Sequence, residues 1–142
     1  MRIFAFLTCL IAAPPVLAQT LPEAGYFTGE YELTGRAPGA GGKALLDWVT
    51  LVADTQTRFS IKSCHSGEGS VKIGLEEGAH EGASPLEGTL GDWQLFCRFT
   101  NDRDNYPRLT CYAVDADEPD VPGLITLWPA HWDRPDHAQG CG

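Results

Sequence analysis

Short segments with alternating apolar and polar residues recur along this chain. Arg58–Cys64 and Ser70–Leu75 both place large apolar side chains at alternate positions. A period of two residues is typical of a strand with one buried face. The intervening stretch His65–Gly69 contains two glycines and is typical of a turn. The pattern therefore predicts a β-hairpin over these residues.

A second hairpin is predicted later in the chain. Trp93–Thr100 and Arg108–Asp115 are rich in β-branched and aromatic residues, and the polar stretch Asn101–Pro107 joins them. Cys97 and Cys111 are equidistant from the centre of this loop, so a symmetric register places them opposite each other. Directly opposite residues of antiparallel strands lie within disulfide range. We therefore expect a Cys97–Cys111 disulfide.

The remaining segments complete an all-β pattern. Tyr26–Leu33 is predicted to be the first strand and Leu124–Trp128 the last. Lys43–Ala53 fits both a helical stripe and a strand, and we favour the strand because the next segment is also β. Glu76–Pro85 is predicted to be an acidic loop, and residues 129–142 an irregular tail. Short strands separated by regular turns favour a small antiparallel β-sandwich or barrel with long loops, stabilised by disulfides.

The N-terminal residues have the features of a secretory signal peptide. Arg2 supplies a positive charge, Ile3–Ile11 is an apolar run, and Val16–Ala18 is a small-residue cleavage pattern. The apolar run is too short for a permanent membrane span, although a retained N-terminal anchor is an alternative. We expect residues 1–18 to be a signal peptide and residues 19–142 a single domain, exported by a bacterium to the periplasm or the medium.

Cysteine usage agrees with export. Removal of the leader takes away Cys9 and leaves an even number of cysteines, namely Cys64, Cys97, Cys111 and Cys141. An even count in a small exported domain indicates disulfides, for which three connectivities are possible. The Cys97–Cys111 pairing leaves Cys64–Cys141 as the second bond. Free thiols and a zinc site are the alternatives, and the sequence has no Cys-x-x-Cys motif to support zinc.

The charge balance restricts the possible partners. The 142 residues include 10 Lys and Arg against 19 Asp and Glu, a formal net charge of −9. Such a chain lacks the basic surface that nucleic acids require, so no nucleic-acid partner is expected. The charge serves solubility or attracts a basic partner such as a cationic hydrolase. No later segment is apolar enough to cross a membrane, so no span is expected after cleavage.

One short motif resembles a known family. Gly91-Asp92-Trp93, with Cys97 and later Cys111, is similar to the Gly-Asp-Trp-x-x-x-Cys…Cys hairpin of the invasion-associated locus B family of exported bacterial proteins. In that family the motif opens the domain, whereas here it lies in the last third of the chain. We transfer no function from this local resemblance.

Catalytic and cofactor motifs are weak. The chain has no Gly-x-Ser-x-Gly elbow, and the adjacent His65 and Ser66 are not expected to form a triad. Ala37–Ala44 lacks the first Gly and the final Ser or Thr of a phosphate-binding loop. The paired carboxylates lie in predicted turns, where a solvated acidic loop is expected. No cofactor is predicted, and we favour a function without catalysis.

The C-terminal tail contains a possible metal site. His131, Asp133 and His137 are ligand types that zinc or copper(II) accept. However, Pro135 prevents a regular helix from aligning them, and Arg134 places a positive charge among them. The alternative is an exposed polar tail.

The four tryptophans divide into two pairs. Trp48 and Trp93 lie in predicted strands and are expected to anchor the core. Trp128 and Trp132 lie near the chain end, where exposed aromatic residues would form a contact patch for a protein or glycan.

Together these observations predict an exported, disulfide-stabilised, acidic β-domain. The leading hypothesis is a non-catalytic binding or inhibitor-like module of the cell envelope, with a protein or glycan partner. The alternatives are a periplasmic metal-binding protein that uses the tail cluster and a hydrolase of envelope glycans.

Overall fold

The computed structural model describes residues 22–74, 86–101 and 107–130. The strands form a closed antiparallel barrel in which each strand pairs with its neighbours in sequence and the last pairs with the first. The predicted all-β class is therefore confirmed, and the architecture is the barrel. The strands are β1 (Gly29–Arg36), β2 (Ala44–Thr55), β3 (Arg58–Ser63), β4 (Glu68–Ile73), β5 (Leu86–Leu90), β6 (Trp93–Asn101), β7 (Pro107–Asp115) and β8 (Gly123–Pro129).

Side chains fill the barrel interior because apolar residues alternate along the strands. Eight strands leave an interior just wide enough for side chains to occupy it. The largest fully buried ones are Phe27, Phe59, Leu33, Leu51, Ile61, Leu86, Leu90, Leu95, Leu109, Ile125, Leu127 and Val49. The same alternation leaves every second residue on the outer surface, which is where exposed groups of the strands collect.

A short 3-10 turn closes one end of the barrel. It spans Ala24–Phe27, and the Phe27 ring stacks on Phe59 and meets Phe99 edge to face, with centroid separations of 5.5 Å in both pairs. The buried Tyr31 hydroxyl donates a hydrogen bond of 2.9 Å to the Phe27 carbonyl oxygen. Burial raises the pKa of Tyr31, so the phenol stays neutral and anchors the turn.

Glycines allow two strand pairs to approach unusually closely. A Cβ atom on Gly35 or Gly123 would overlap backbone atoms across the β1–β8 pair, and one on Gly69 or Gly88 would do so across β4–β5. Glycine in a strand interior commonly marks a site where another backbone approaches closely. Because these seams lie four strands apart in the closed order, they divide the barrel into two four-stranded halves.

The main differences from the sequence prediction are the start of the first strand, one missed strand and the end of the last strand. The first strand begins at Gly29 rather than Tyr26, because Ala24–Phe27 turns inward to plug the barrel. The strand β5 was not predicted, since its interior is Glu-Gly-Thr between two leucines and lacks β-branched or aromatic runs. The tail predicted from Pro129 begins later, because Pro129 still belongs to β8. The strand interpretation of Lys43–Ala53 is confirmed by β2.

The predicted hairpin register is correct. Cys97 pairs with Cys111 across β6 and β7, and the two form a disulfide between buried residues. Cys64 is also disulfide-bonded. Cys141 lies outside the described residues, so the Cys64–Cys141 pairing stays a prediction. No helix in the described ranges has the length and hydrophobicity needed to cross a bilayer.

Candidate binding face

Two groups of residues in the barrel are candidates for a functional site. The first is a buried polar cluster around Asp47. Asp47 points inward from β2 and is only 4% exposed. Ser63 ends β3 and is also buried, while His65 and Ser66 follow in the connection to β4. Phe27 stacks on Phe59 near the start of β3, whereas Ser63 is the last residue of that strand. The cluster therefore lies at the end of the barrel opposite Phe27.

Hydrogen bonds hold the Asp47 carboxylate in its ionised form. Oδ2 accepts from the hydroxyls of Ser63 and Ser66 and from the backbone N–H groups of His65 and Ser66. Oδ1 accepts from the Trp48 N–H at 2.8 Å and lies 3.0 Å from His65 Nδ1. Burial alone would raise the pKa of Asp47, but these hydrogen bonds outweigh it and lower the pKa to about 2.

This geometry does not form a catalytic triad. In a triad the histidine accepts the serine proton and the carboxylate orients the histidine. Here the Ser66 hydroxyl donates directly to Asp47 at 2.9 Å, and so does not depend on His65 as a base. A general acid would also need a raised pKa, whereas that of Asp47 is lowered. The cluster ties the β3–β4 connection to β2 and is a structural feature.

The acidic connection before β8 also has a structural role. Glu118 Oε2 accepts the Ala40 N–H at 2.6 Å and links this connection to the one that joins β1 and β2. Asp115 Oδ1 accepts the Asp117 N–H at 2.9 Å. Within residues 22–74, 86–101 and 107–130, no three His, Cys, Asp or Glu side chains are grouped to hold a metal ion.

The metal site proposed from the sequence is not described by the structure. His131, Asp133 and His137 lie outside the described residues, as does Trp132. The metal hypothesis stays a prediction, and so does the contact patch of Trp128 and Trp132.

The second group is an exposed surface on the outer side of the barrel. It consists of the outward side chains of β7, β8 and β1 together with adjoining residues of β2 and β6, and we call it the β7–β8–β1 face. Its members are Leu46, Thr34, Arg36, Phe96, Arg98, Arg108, Thr110, Tyr112, Leu124, Thr126 and Trp128.

Large apolar side chains are unusually exposed on this face. Leu46 is 74% exposed, Tyr112 60% and Leu124 49%. Tyr112 lies directly opposite Leu124 on the neighbouring strand and opposite Phe96 on the other side. Phe96, Tyr112 and Leu124 therefore form a continuous row across β6, β7 and β8. These residues could have been found from the sequence, because each is an apolar residue at an outward position of a strand.

Trp128 is held in place at the centre of one edge of the face. Its Nε1 donates to Thr34 Oγ1 at 3.1 Å, and the Arg108 guanidinium carbon lies 4.7 Å from the centroid of the indole ring. Trp128 is 40% exposed, and its role in a contact patch stays a prediction. Because neighbours on two sides fix the ring, little side-chain entropy remains to be lost on binding.

The other two tryptophans of the described residues have different roles from Trp128. Trp48 was predicted to anchor the core, and this is wrong: it points outward from β2, half-buried, because Asp47 and Val49 take the neighbouring inward positions. Trp93 is half-buried and packs against the core.

Arginines border the apolar row. Arg36 lies opposite Leu124, Arg98 opposite Thr110, and Arg108 over Trp128. The face also has acidic neighbours, since Glu32 on β1 lies opposite Trp128 and the exposed Glu87 on β5 lies opposite Phe96. The face therefore combines exposed Leu, Tyr and Trp with three guanidinium groups in a chain whose net charge is −9.

No family model, curated protein or solved structure matches this chain.

Proposed function

We propose that this chain is a small exported β-domain, periplasmic or secreted, that acts without catalysis by binding a protein of the cell envelope. The observation that carries the proposal is the β7–β8–β1 face. Its Trp, Tyr and Arg are the residue types that dominate binding energy at protein interfaces. Soluble monomers rarely expose large contiguous apolar patches unless a partner covers them.

The chemistry of the face favours a protein over a glycan. A sugar ring would stack on an exposed aromatic face, but the Arg108 guanidinium already covers one face of Trp128. Leu46 and Leu124 offer branched aliphatic groups, which pack best against apolar side chains of another protein. An inhibitor-like module, in which a rigid barrel presents a fixed surface, fits these properties.

The buried carboxylate supports the non-catalytic part of the proposal. Asp47 is the only buried acidic residue among those described. Its pKa is lowered and its oxygens are occupied by hydrogen bonds within the chain. It is therefore unsuited to the proton-donor role in glycoside hydrolysis, which needs a carboxyl with a raised pKa.

The cysteine chemistry supports the export part. The Cys97–Cys111 disulfide and the disulfide-bonded Cys64 are expected in an oxidising compartment. The signal peptide expected at residues 1–18 would supply the route.

A matched pair of variants tests the proposed function. Leu124 on the face and Val52 on the outer side of β2 are both 49% exposed, so Leu124→Asp and Val52→Asp carry similar folding costs. The chain and both variants are immobilised and exposed to the exported fraction of the host. We expect a protein that the unmodified chain and Val52→Asp retain and Leu124→Asp loses. Equal retention by all three chains, or none, would contradict the proposal.

A further inference from the structure

The outer side of β1 and β2 lies between the end of β8 and Cys64, which follows β3. We infer that it is a docking surface for residues 131–141 of this chain, which cross it and are held there by a disulfide between Cys64 and Cys141. The inference rests on the export part of the proposed function, because it requires that the leader with Cys9 is removed. It adds a contact within the chain and leaves the outer side of β6–β8 for the partner.

The bonding of Cys64 limits its disulfide partner to two residues. The chain has five cysteines, and Cys97 and Cys111 are bonded to each other. Cys64 is disulfide-bonded as well, so its partner is Cys9 or Cys141. Cys9 lies in the expected signal peptide, which is removed from an exported chain. Cys141 is then the partner in the mature protein.

Four outward side chains form a row between the end of β8 and Cys64. Trp128 lies opposite Glu32, and Glu32 lies opposite Trp48. The Cys64 N–H donates to the Trp48 carbonyl oxygen at 3.0 Å, which extends the pairing of β3 with β2 by one residue. The buried positions of β3 end at Ser63, so alternation turns Cys64 outward. We call Trp128, Glu32, Trp48 and Cys64 the Trp128–Cys64 row.

The middle of this row is more covered than its surroundings. Trp48 is half-buried, whereas Leu46 and Thr50, the outward residues on either side of it, are exposed. Glu32 is also half-buried, while Glu30, the preceding outward residue of β1, is exposed. Coverage confined to one row across two strands is what a crossing segment of chain produces.

The chain beyond β8 is long enough to follow the row. Ala130 donates its N–H to the Glu30 carbonyl oxygen at 2.8 Å, which fixes the start of the segment beside β1. Three strand spacings and two residues of strand separate Ala130 from Cys64, a path of about 16 Å. Residues 131–141 reach about 35 Å when extended. The shortest path between the two ends passes over Trp48 and does not reach Val52 farther along β2.

Peptide mapping of the exported chain under non-reducing conditions tests the bond. Digestion before aspartate residues places each cysteine of the mature chain in a separate peptide, and Asp136 begins the one with Cys141. We expect a linked pair that joins the peptides of Cys64 and Cys141. A Cys64–Cys9 pair would contradict the inference and the removal of the leader together. A free thiol at Cys64 in a chain that lacks residues 1–18 would contradict the inference alone.

Photo-crosslinking of the purified mature chain tests the path of the segment. One chain carries p-benzoylphenylalanine in place of Trp48, and a control carries it in place of Val52, which points outward from the same strand and is 49% exposed. We expect an intramolecular adduct between position 48 and residues 131–141, and none from position 52.

Removal of the bond supplies a matched comparison. With Cys64→Ser and Cys141→Ser combined, hydroxyl-radical oxidation of Trp48 should rise at least about threefold, because the tether no longer keeps the segment near the row. Trp93, half-buried and packed against the core, should react equally in both chains. A variant that lacks the β6–β7 disulfide instead should leave the oxidation of Trp48 unchanged. Circular dichroism of each variant verifies that the barrel is retained.

The remaining outcomes separate this inference from the proposed binding function. Adducts from position 52 to residues 131–141, or no adduct from position 48, would overturn the inferred path. Equal oxidation of Trp48 with and without the Cys64–Cys141 bond would do the same. In each of these cases the proposed binding function stands, because it depends on the β7–β8–β1 face.

Discussion

At the scale of single residues, Asp47 shows how a charged group is accommodated inside a small barrel. Ionised carboxylates are costly to bury unless they are paired or hydrogen-bonded. Here two serine hydroxyls and several backbone N–H groups supply the hydrogen bonds, and His65 lies alongside. The fold therefore depends on Asp47 being ionised, which links stability to pH.

Acid should remove the contribution of Asp47. The pKa is about 2 in the fold against an ordinary value of 3.8, so the stabilisation is complete above pH 3.8 and is lost as the pH falls toward 2. The difference corresponds to about 2 kcal/mol. The Asp47→Asn variant should have a lower free energy of unfolding than the unmodified chain at pH 6. This difference should narrow by about 2 kcal/mol near pH 2. Urea unfolding across this range measures it. A gap that stays constant would contradict the role of the ionised carboxylate.

Gly88 gives a second prediction at this scale. A Cβ atom there would overlap the Ser70 carbonyl oxygen on β4, whereas one on Gly41 would meet nothing within 4 Å. Gly88→Ala should therefore lower the free energy of unfolding by at least about 2 kcal/mol, because backbone must move. Gly41→Ala should change it by less than about 0.5 kcal/mol. Thermal unfolding of the two variants compares them, and similar melting temperatures would be inconsistent with a tight β4–β5 seam.

At the scale of elements, the sequence was most informative where one strand face is buried. The hairpins β3–β4 and β6–β7 follow from alternation, and the β6–β7 register follows from a symmetric loop. The strand β5 could not be found because pairing with β4 and β6, rather than local propensity, makes its Leu-Glu-Gly-Thr-Leu extended.

Local sequence patterns also could not predict the polar cluster around Asp47 or the β7–β8–β1 face. Asp47 lies 16 to 19 residues from its hydroxyl partners, so only the barrel register brings them together. The sequence predicts a contact patch that includes Trp128, but Leu46 comes beside the outward residues of β8 only because β1 pairs with β8, which is distant from it in the chain. Closure of the barrel by the β1–β8 pair assembles the face, and no local pattern encodes that closure.

Removal of the β6–β7 disulfide should be measurable. The bond joins residues 14 positions apart, and a loop of this size restricts the unfolded chain by about 3 kcal/mol in the chain-entropy model. Cys97→Ala combined with Cys111→Ala should reduce the free energy of unfolding by a similar amount while the far-ultraviolet circular dichroism spectrum is retained. A reduction below about 1 kcal/mol would show that the hairpin does not depend on the crosslink.

At the scale of the whole molecule, closure determines how this barrel can bind. The described strands all have two neighbours, so none offers a free edge to an extended peptide. Side chains occupy the interior, so the strand surfaces available for recognition are on the outside. The β7–β8–β1 face is the outer surface where exposed aromatic, aliphatic and arginine side chains come together.

Hydroxyl-radical footprinting of the native chain tests most directly whether that face is covered. Oxidation is measured by mass spectrometry in the exported fraction of the host and again on the purified chain. We expect Tyr112 and Trp128 to be oxidised several-fold less in the fraction, while His65, whose side chain is 82% exposed at the end of the barrel, reacts equally in both. Equal oxidation of Tyr112 and Trp128 in the two samples would contradict the assignment of this face as a binding surface.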